Sequence, residues 1–150
     1  MIKSIPFSMG HMDLLRLSDV HSDDATLIDD YKSGGVSSTF IETIIEDQKL
    51  MVMGVMNGIL INSKCMEVCM MVGDNADLNP IGFTRHVRRS IDRYNTELGL
   101  SRVQCTIRDG FPHLIKWMKV LGFKKESTLE RWGPTGENYS LYARFFNHVG

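Results

Sequence analysis

Apolar residues recur along this chain at two distinct periods, and the switches between them outline its elements. Residues 2–7 form a short apolar segment that predicts a first strand, β1, stopped by Ser8, Met9 and Gly10. Leu14, Leu15 and Leu17 lie at roughly helical spacing and predict a helix, α1, over 12–20. A second short helix, α2, is predicted over 23–31, and Gly34 and Gly35 mark a loop over 33–38. From Thr39 to Val72 the chain is rich in Ile, Val, Met and Thr. Breaks at 46–48, 57–58 and 62–64 divide it into two or three consecutive antiparallel strands, with Asn57-Gly58 predicted as a tight turn or a bulge.

The second half of the chain alternates strand and helix. An apolar run from Cys65 to Val72, interrupted by the single carboxylate of Glu67, predicts β4. Phe83, Val87, Ile91, Tyr94 and Leu98 then recur at steps of three or four, the apolar face of an amphipathic helix, α3. Gly99 is placed for a left-handed cap at its end. Residues 102–108 predict β5. Pro112 suits the first turn of a helix α4 with the stripe Leu114, Trp117, Met118 and Leu121, which Gly122 closes. A hairpin, β6–β7, turns through Gly133-Pro134-Thr135-Gly136 and ends in an alternating strand over 139–144. The order β1-α1-α2-β2-β3-β4-α3-β5-α4-β6-β7 describes a mixed α/β sheet with helices on both faces, in a single domain spanning 1–150.

Composition narrows the function classes. The chain has 150 residues, 43% hydrophobic and 23% charged, which is the balance of a soluble globular protein with one sizeable core. A formal net charge of −1 gives no global bias toward nucleic acid or anionic membranes. No apolar run approaches the roughly 20 residues that span a bilayer, and an odd count of three cysteines without a leader-like segment predicts free thiols in a reducing, cytoplasmic setting. Cys65 and Cys69 on one strand lack the tight turn of a metal knuckle, so no metal site is predicted. Arg85, Arg88, Arg89 and Arg93 read as a solvated helix face. No aromatic residues are interleaved with them, which disfavours a nucleic-acid role.

Two features carry candidate chemistry. Asn79-Pro80-Ile81-Gly82-Phe83-Thr84 opens α3, where unpaired backbone amides and the positive end of the helix dipole favour an anion. Glu67, set mid-strand among Met66, Val68 and Met70, is a carboxylate that desolvation would tune toward a general base.

These elements, together with the helix end Lys119-Val-Leu-Gly122-Phe123, the 133–137 turn and Tyr139-Ser-Leu-Tyr142-Ala-Arg144, resemble the GNAT (Gcn5-related) N-acetyltransferase fold. The resemblance covers most of the chain in element order. It implies acetyl-CoA as cosubstrate and an amine as acceptor. In that family the loop before α3 reads Gln/Arg-x-x-Gly-x-Gly/Ala and holds the coenzyme pyrophosphate. The aligned residues here are Asn79, Gly82 and Thr84, and only the central glycine matches. Phe83 and Arg85 are implied to bind the coenzyme beside them, and the main chain of Met70, Met71 and Val72 is implied to hold the pantetheine arm.

Glu67 is implied as the base. The family's α4 carries a tyrosine that protonates the departing thiolate, and Met118 stands there in this chain. Tyr142, Tyr139 or a bound water would take its place, Tyr142 being the residue carried forward; His113 is a further titratable group at the helix start. The acceptor site is implied to include α1 and α2, whose Asp19, Asp23, Asp24, Asp29 and Asp30 would suit a cationic amine or merely hydrate a helix. A narrower likeness, to the GNAT-like proteins of short-tailed bacteriophages, rests on Gly82, Arg88 or Arg89 and Tyr94 and on His113, Lys116 and Gly122. It implies an alternative: a catalytically degenerate virion or host-protein-binding module. A homo-oligomer is compatible with either reading.

Overall fold

In the computed structural model, residues 1–15, 40–49 and 51–147 are described. The predicted α2, its acidic residues and the second half of the predicted α1 lie outside them. Seven strands form one mixed sheet in the order β1-β2-β3-β4-β5-β7-β6, which bears out the predicted α/β class. Two compact units divide the chain, Met1–Ile59 with Cys69–His86, and Leu60–Val68 with Val87–Gly150.

In the first unit, β1 (Ile2–Pro6) pairs antiparallel with β2 (Phe40–Glu46), and β2 pairs antiparallel with β3 (Met51–Asn62). The β2–β3 register slips between Ile44, opposite Gly54, and Ile45, opposite Val52, so Met53 is the extra residue of a bulge. Its carbonyl accepts the Gly73 N–H at 2.8 Å. β3 runs unbroken through Asn57 and Gly58, which corrects the predicted turn or bulge there. Asn57 instead sits 1% exposed on the strand, and its amide makes no hydrogen bond to a described residue. Helix α1 spans Gly10–Leu14 and places Met12 against Ile45, Val52, Val55 and Met71, with Leu15 beside them. His11 Nδ1 accepts from the Ser8 N–H at 3.1 Å, so the Thr43 hydroxyl, 2.7 Å away, donates to the same nitrogen.

In the second unit, β5 (Arg102–Arg108) pairs antiparallel with β7 (Tyr139–Phe145), and β6 (Lys124–Leu129) covers the far edge of β7. Helix α3 (Pro80–Leu98), whose residues up to His86 belong to the first unit, buries Phe83, Val87 and Ile91, the first three positions of its predicted stripe. Helix α4 (Pro112–Val120) has proline in its first turn and buries Met118, with Leu121 just beyond its end. Gly99 (φ 62°) and Gly122 (φ 90°) adopt the left-handed geometry expected of helix-ending glycines. Arg88 Nη1 donates to the Val120 carbonyl at 2.9 Å, and Arg144 Nη2 donates to Asp92 Oδ1 at 2.6 Å. Arginines of α3 and β7 thus tie α3 to the end of α4 and to the sheet.

Candidate active site

β4 (Cys65–Val72) begins beside β5 in parallel, with Cys65, Met66 and Glu67 opposite Arg102, Val103 and Gln104. The register of these two strands closes on the Glu67–Gln104 pair, although β4 continues to Val72 and β5 to Arg108. Glu67 is half-buried. Its Oε1 accepts from Gln104 Nε2 at 3.4 Å, and Gln104 Oε1 in turn accepts Arg102 Nε at 2.9 Å and, more distantly, the Cys65 thiol at 3.9 Å. Arg102 is held by both carboxylate oxygens of Glu126, at 2.8 and 2.5 Å. A planar guanidinium bound at both nitrogens has little freedom left. The row Glu126–Arg102–Gln104–Glu67 therefore fixes the orientation of the last carboxylate through three hydrogen-bonded side chains. Each of the two charges favours the other's ionised form: Glu126 lies below the usual carboxylate range, and Arg102 is raised, chiefly through their mutual hydrogen bonds. Sequence reading missed Gln104 and Arg102, because alternation along a strand assigns a face but does not reveal which polar side chains will bond one another.

Strand alternation also separates the two catalytic candidates. Gln104 lies opposite both Glu67 and Ala143, which sets these three on one face of the sheet, while Tyr142, opposite Cys105, points to the other. The structure does not bring Glu67 and Tyr142 together. Tyr142 is 5% exposed, and its phenol is pushed above the usual range by burial first and by the nearby Asp109 carboxylate second. It keeps its proton at neutral pH, the form a proton donor needs. Because the folded phenol holds its proton longer than an unfolded one, stability falls as pH rises past the ordinary tyrosine value. Subtracting the alkaline absorbance titration of Tyr142→Phe from that of the parent should isolate one late-ionising phenol.

In the first unit, a turn of 3-10 helix (Asp74–Leu78), absent from the sequence reading, leads into Asn79. Asn79 caps α3: its Oδ1 accepts the Gly82 N–H at 3.0 Å and its carbonyl accepts the Phe83 N–H at 2.9 Å. A Cβ on Gly82 would lie 2.7–2.9 Å from the folded-back Asn79 carboxamide, so a larger residue there would push this exposed side chain aside and loosen the cap. Of the first-turn amides, Pro80 has none and those of Gly82 and Phe83 are bonded to Asn79. The Asn79 carboxamide is exposed and neutral, so a charged acceptor would be the stronger partner for that N–H. Arg85 is exposed one turn on, and Thr84 is half-buried. Asn79 also borders a cavity of about 300 Å³ that it shares with Asn75, Met53 and Leu78.

Phe83 and Met71 give their side chains to the core, 3% and 1% exposed, leaving only their main chain to a ligand. Met70 and Val72 are half-buried. Removing the cap with Asn79→Ala should cost about 1 kcal/mol of stability, read in a denaturant melt. Among the described residues no cluster of His, Cys, Asp or Glu is arranged to hold a metal ion, and no helix is long and apolar enough to cross a membrane.

No family model and no curated protein sequence matches the chain. Solved structures do. A GNAT-family acetyltransferase from Bacillus anthracis superposes with TM-score 0.73 at 12% identity, over 96% of this chain and 94% of that one. The ribosomal-protein-S18-alanine N-acetyltransferase of Escherichia coli gives 0.72 at 11% identity over 100% and 97%. A variant of the spermidine N-acetyltransferase from Vibrio cholerae gives 0.67 at 14% identity over 97% and 94%. With coverage near complete on both sides, the chain has the fold of the GNAT N-acetyltransferases.

Proposed function

We propose that this protein transfers acetyl from acetyl-CoA to a primary amine. The observation that carries the reading is Glu67: an oriented, half-buried carboxylate at the residue where the ladder between β4 and β5 closes. In this reading Glu67 removes a proton from the acceptor ammonium. The freed nitrogen lone pair attacks the thioester carbonyl, the C–S bond breaks, and the departing thiolate takes a proton to leave as free coenzyme. Tyr142 lies on the other face of the sheet from Glu67, so a bound water is the proposed source of that proton.

The main-chain groups of Met70, Met71 and Val72 take the pantetheine arm, and the α3 start from Asn79 through Gly82, Phe83 and Thr84 takes the pyrophosphate, with Arg85 adding charge. The names of the structural neighbours supply acceptor classes to try, a polyamine and an N-terminal alanine. A second reading, a GNAT-fold binding module without transfer, is favoured by buried Met118 in the place of a proton donor and by the Asn79 cap over the Gly82 amide.

Release of free thiol from acetyl-CoA, followed with spermidine and with an alanine-terminated peptide, separates the two. Transfer predicts acceptor-dependent thiol release that is lost in Gly82→Asp, whose carboxylate would repel the pyrophosphate. Acceptor-independent background alone, in parent and variant alike, supports the binding module.

A further inference from the structure

Two hydrogen-bond donors converge on one ring nitrogen at the start of α1. The Ser8 N–H reaches His11 Nδ1 at 3.1 Å, and the Thr43 hydroxyl of β2 lies 2.7 Å from the same atom. A backbone amide can only donate, so Nδ1 carries no hydrogen and Nε2 carries the ring's own. A second proton therefore has one place to go, the nitrogen that holds both bonds. Once protonated, Nδ1 points a hydrogen at the Ser8 N–H, and that bond is lost. Thr43 could turn to accept instead, but it is 0% exposed and its side chain bonds only His11 among the described residues. Its own hydrogen would then be buried without an acceptor, which is costly.

Little else fixes the entry to α1. The helix is five residues long with no side-chain cap at its start. The Ser8 bond to the ring is answered by the His11 N–H, which donates to the Ser8 carbonyl at 2.9 Å. Just beyond, Met12 and Leu15 close the apolar cluster of Ile45, Val52, Val55 and Met71. Charged and titratable groups on the elements packed here are few among the described residues. Helix α1 has Asp13, which is exposed. β1 puts Lys3 opposite Ile45, and Lys3 pairs with Asp47 at 3.5 Å. β2 and β3 present neutral side chains on this face, and β4 adds the exposed Cys69 thiol two residues before Met71. Phe7 meets the His11 ring edge-on, with centroids 6.3 Å apart.

We propose that His11 is a pH-operated latch on α1: neutral, it ties the start of the helix to β2; protonated, it lets the helix go and uncovers the apolar cluster beneath. The latch does not depend on acetyl transfer and is read without it. Hydrogen exchange of the Met12 and Leu15 amides, which donate to the Met9 and Met12 carbonyls, is followed from about pH 8 to about pH 5, where histidines change charge. The His11 ring Cε1–H shift is recorded alongside it. After correction for the intrinsic exchange rate, protection of both amides should fall by roughly tenfold as the ring titrates, the scale of one or two lost hydrogen bonds. The amides of Val87 and Ile91 in α3 should keep theirs. His11→Asn sets a non-titrating oxygen near the position of Nδ1, accepts the same two bonds and should hold the protection level across the range. Unchanged protection in the parent while His11 titrates, or an equal fall in a folded His11→Asn, would overturn the proposal.

Discussion

Glu67→Gln is expected to lower kcat/KM for amine acetylation by on the order of 10²–10⁴, the usual contribution of a positioned general base. The substitution keeps the shape of the side chain and its acceptor oxygen toward Gln104, so the hydrogen-bonded row to Glu126 survives and the fold should not change. What is lost is the capacity to take a proton from the acceptor ammonium. The loss should therefore shrink as pH rises and the free amine forms in solution, whereas a purely structural defect would be equal at every pH. Gln104→Leu supplies the comparison. It leaves the carboxylate but removes the N–H that orients it, and should cost less, roughly tenfold. Equal activity of Glu67→Gln and parent across the pH range would remove the base from the account.

The second large effect is on stability. Gly54→Ala is expected to destabilise the chain by about 1–3 kcal/mol, which lowers Tm by roughly 2–12 °C in a domain of this length. A Cβ at Gly54 would sit 2.8 Å from the Met71 carbonyl oxygen and 3.3 Å from the Phe83 ring. The carbonyl belongs to β4 and moves only if the strand moves. The same backbone includes Met70, Met71 and Val72, the proposed pantetheine contacts, so the variant should also weaken acetyl-CoA binding. Gly10→Ala is the control. There the nearest atom is the Ser8 hydroxyl at 3.9 Å, and the melt should be unchanged within about 0.5 kcal/mol.

Legibility from sequence followed the strength of the local signal. The stripe Phe83, Val87 and Ile91, the glycines ending α3 and α4, and Pro112 at the start of α4 each have one physical meaning, and each was found where expected. Asn57-Gly58 misled because that pair is the strongest short turn signal in the chain, yet the sheet overrides it and carries β3 straight through. The real irregularity, at Met53, has no turn residue to announce it, since a bulge is set by register between strands. Within the candidate site, Glu67 was visible as one carboxylate in an apolar run, but the row that orients it joins residues from three strands. The Asn79 cap was half-legible. An asparagine three residues before a glycine at a helix start is a capping pattern, and reading it as a phosphate loop overlooked that the two roles compete for one N–H.

The central claim is that the amides at the start of α3 and along β4 receive a nucleotide-tailed thioester. Thermal unfolding with and without acetyl-CoA tests it most directly. At about a hundred times its Kd the coenzyme should add roughly 2.7 kcal/mol to the folded state, and Gly82→Asp should abolish that gain. An unchanged melting curve at millimolar acetyl-CoA would contradict the account and leave the fold as a scaffold for some other ligand.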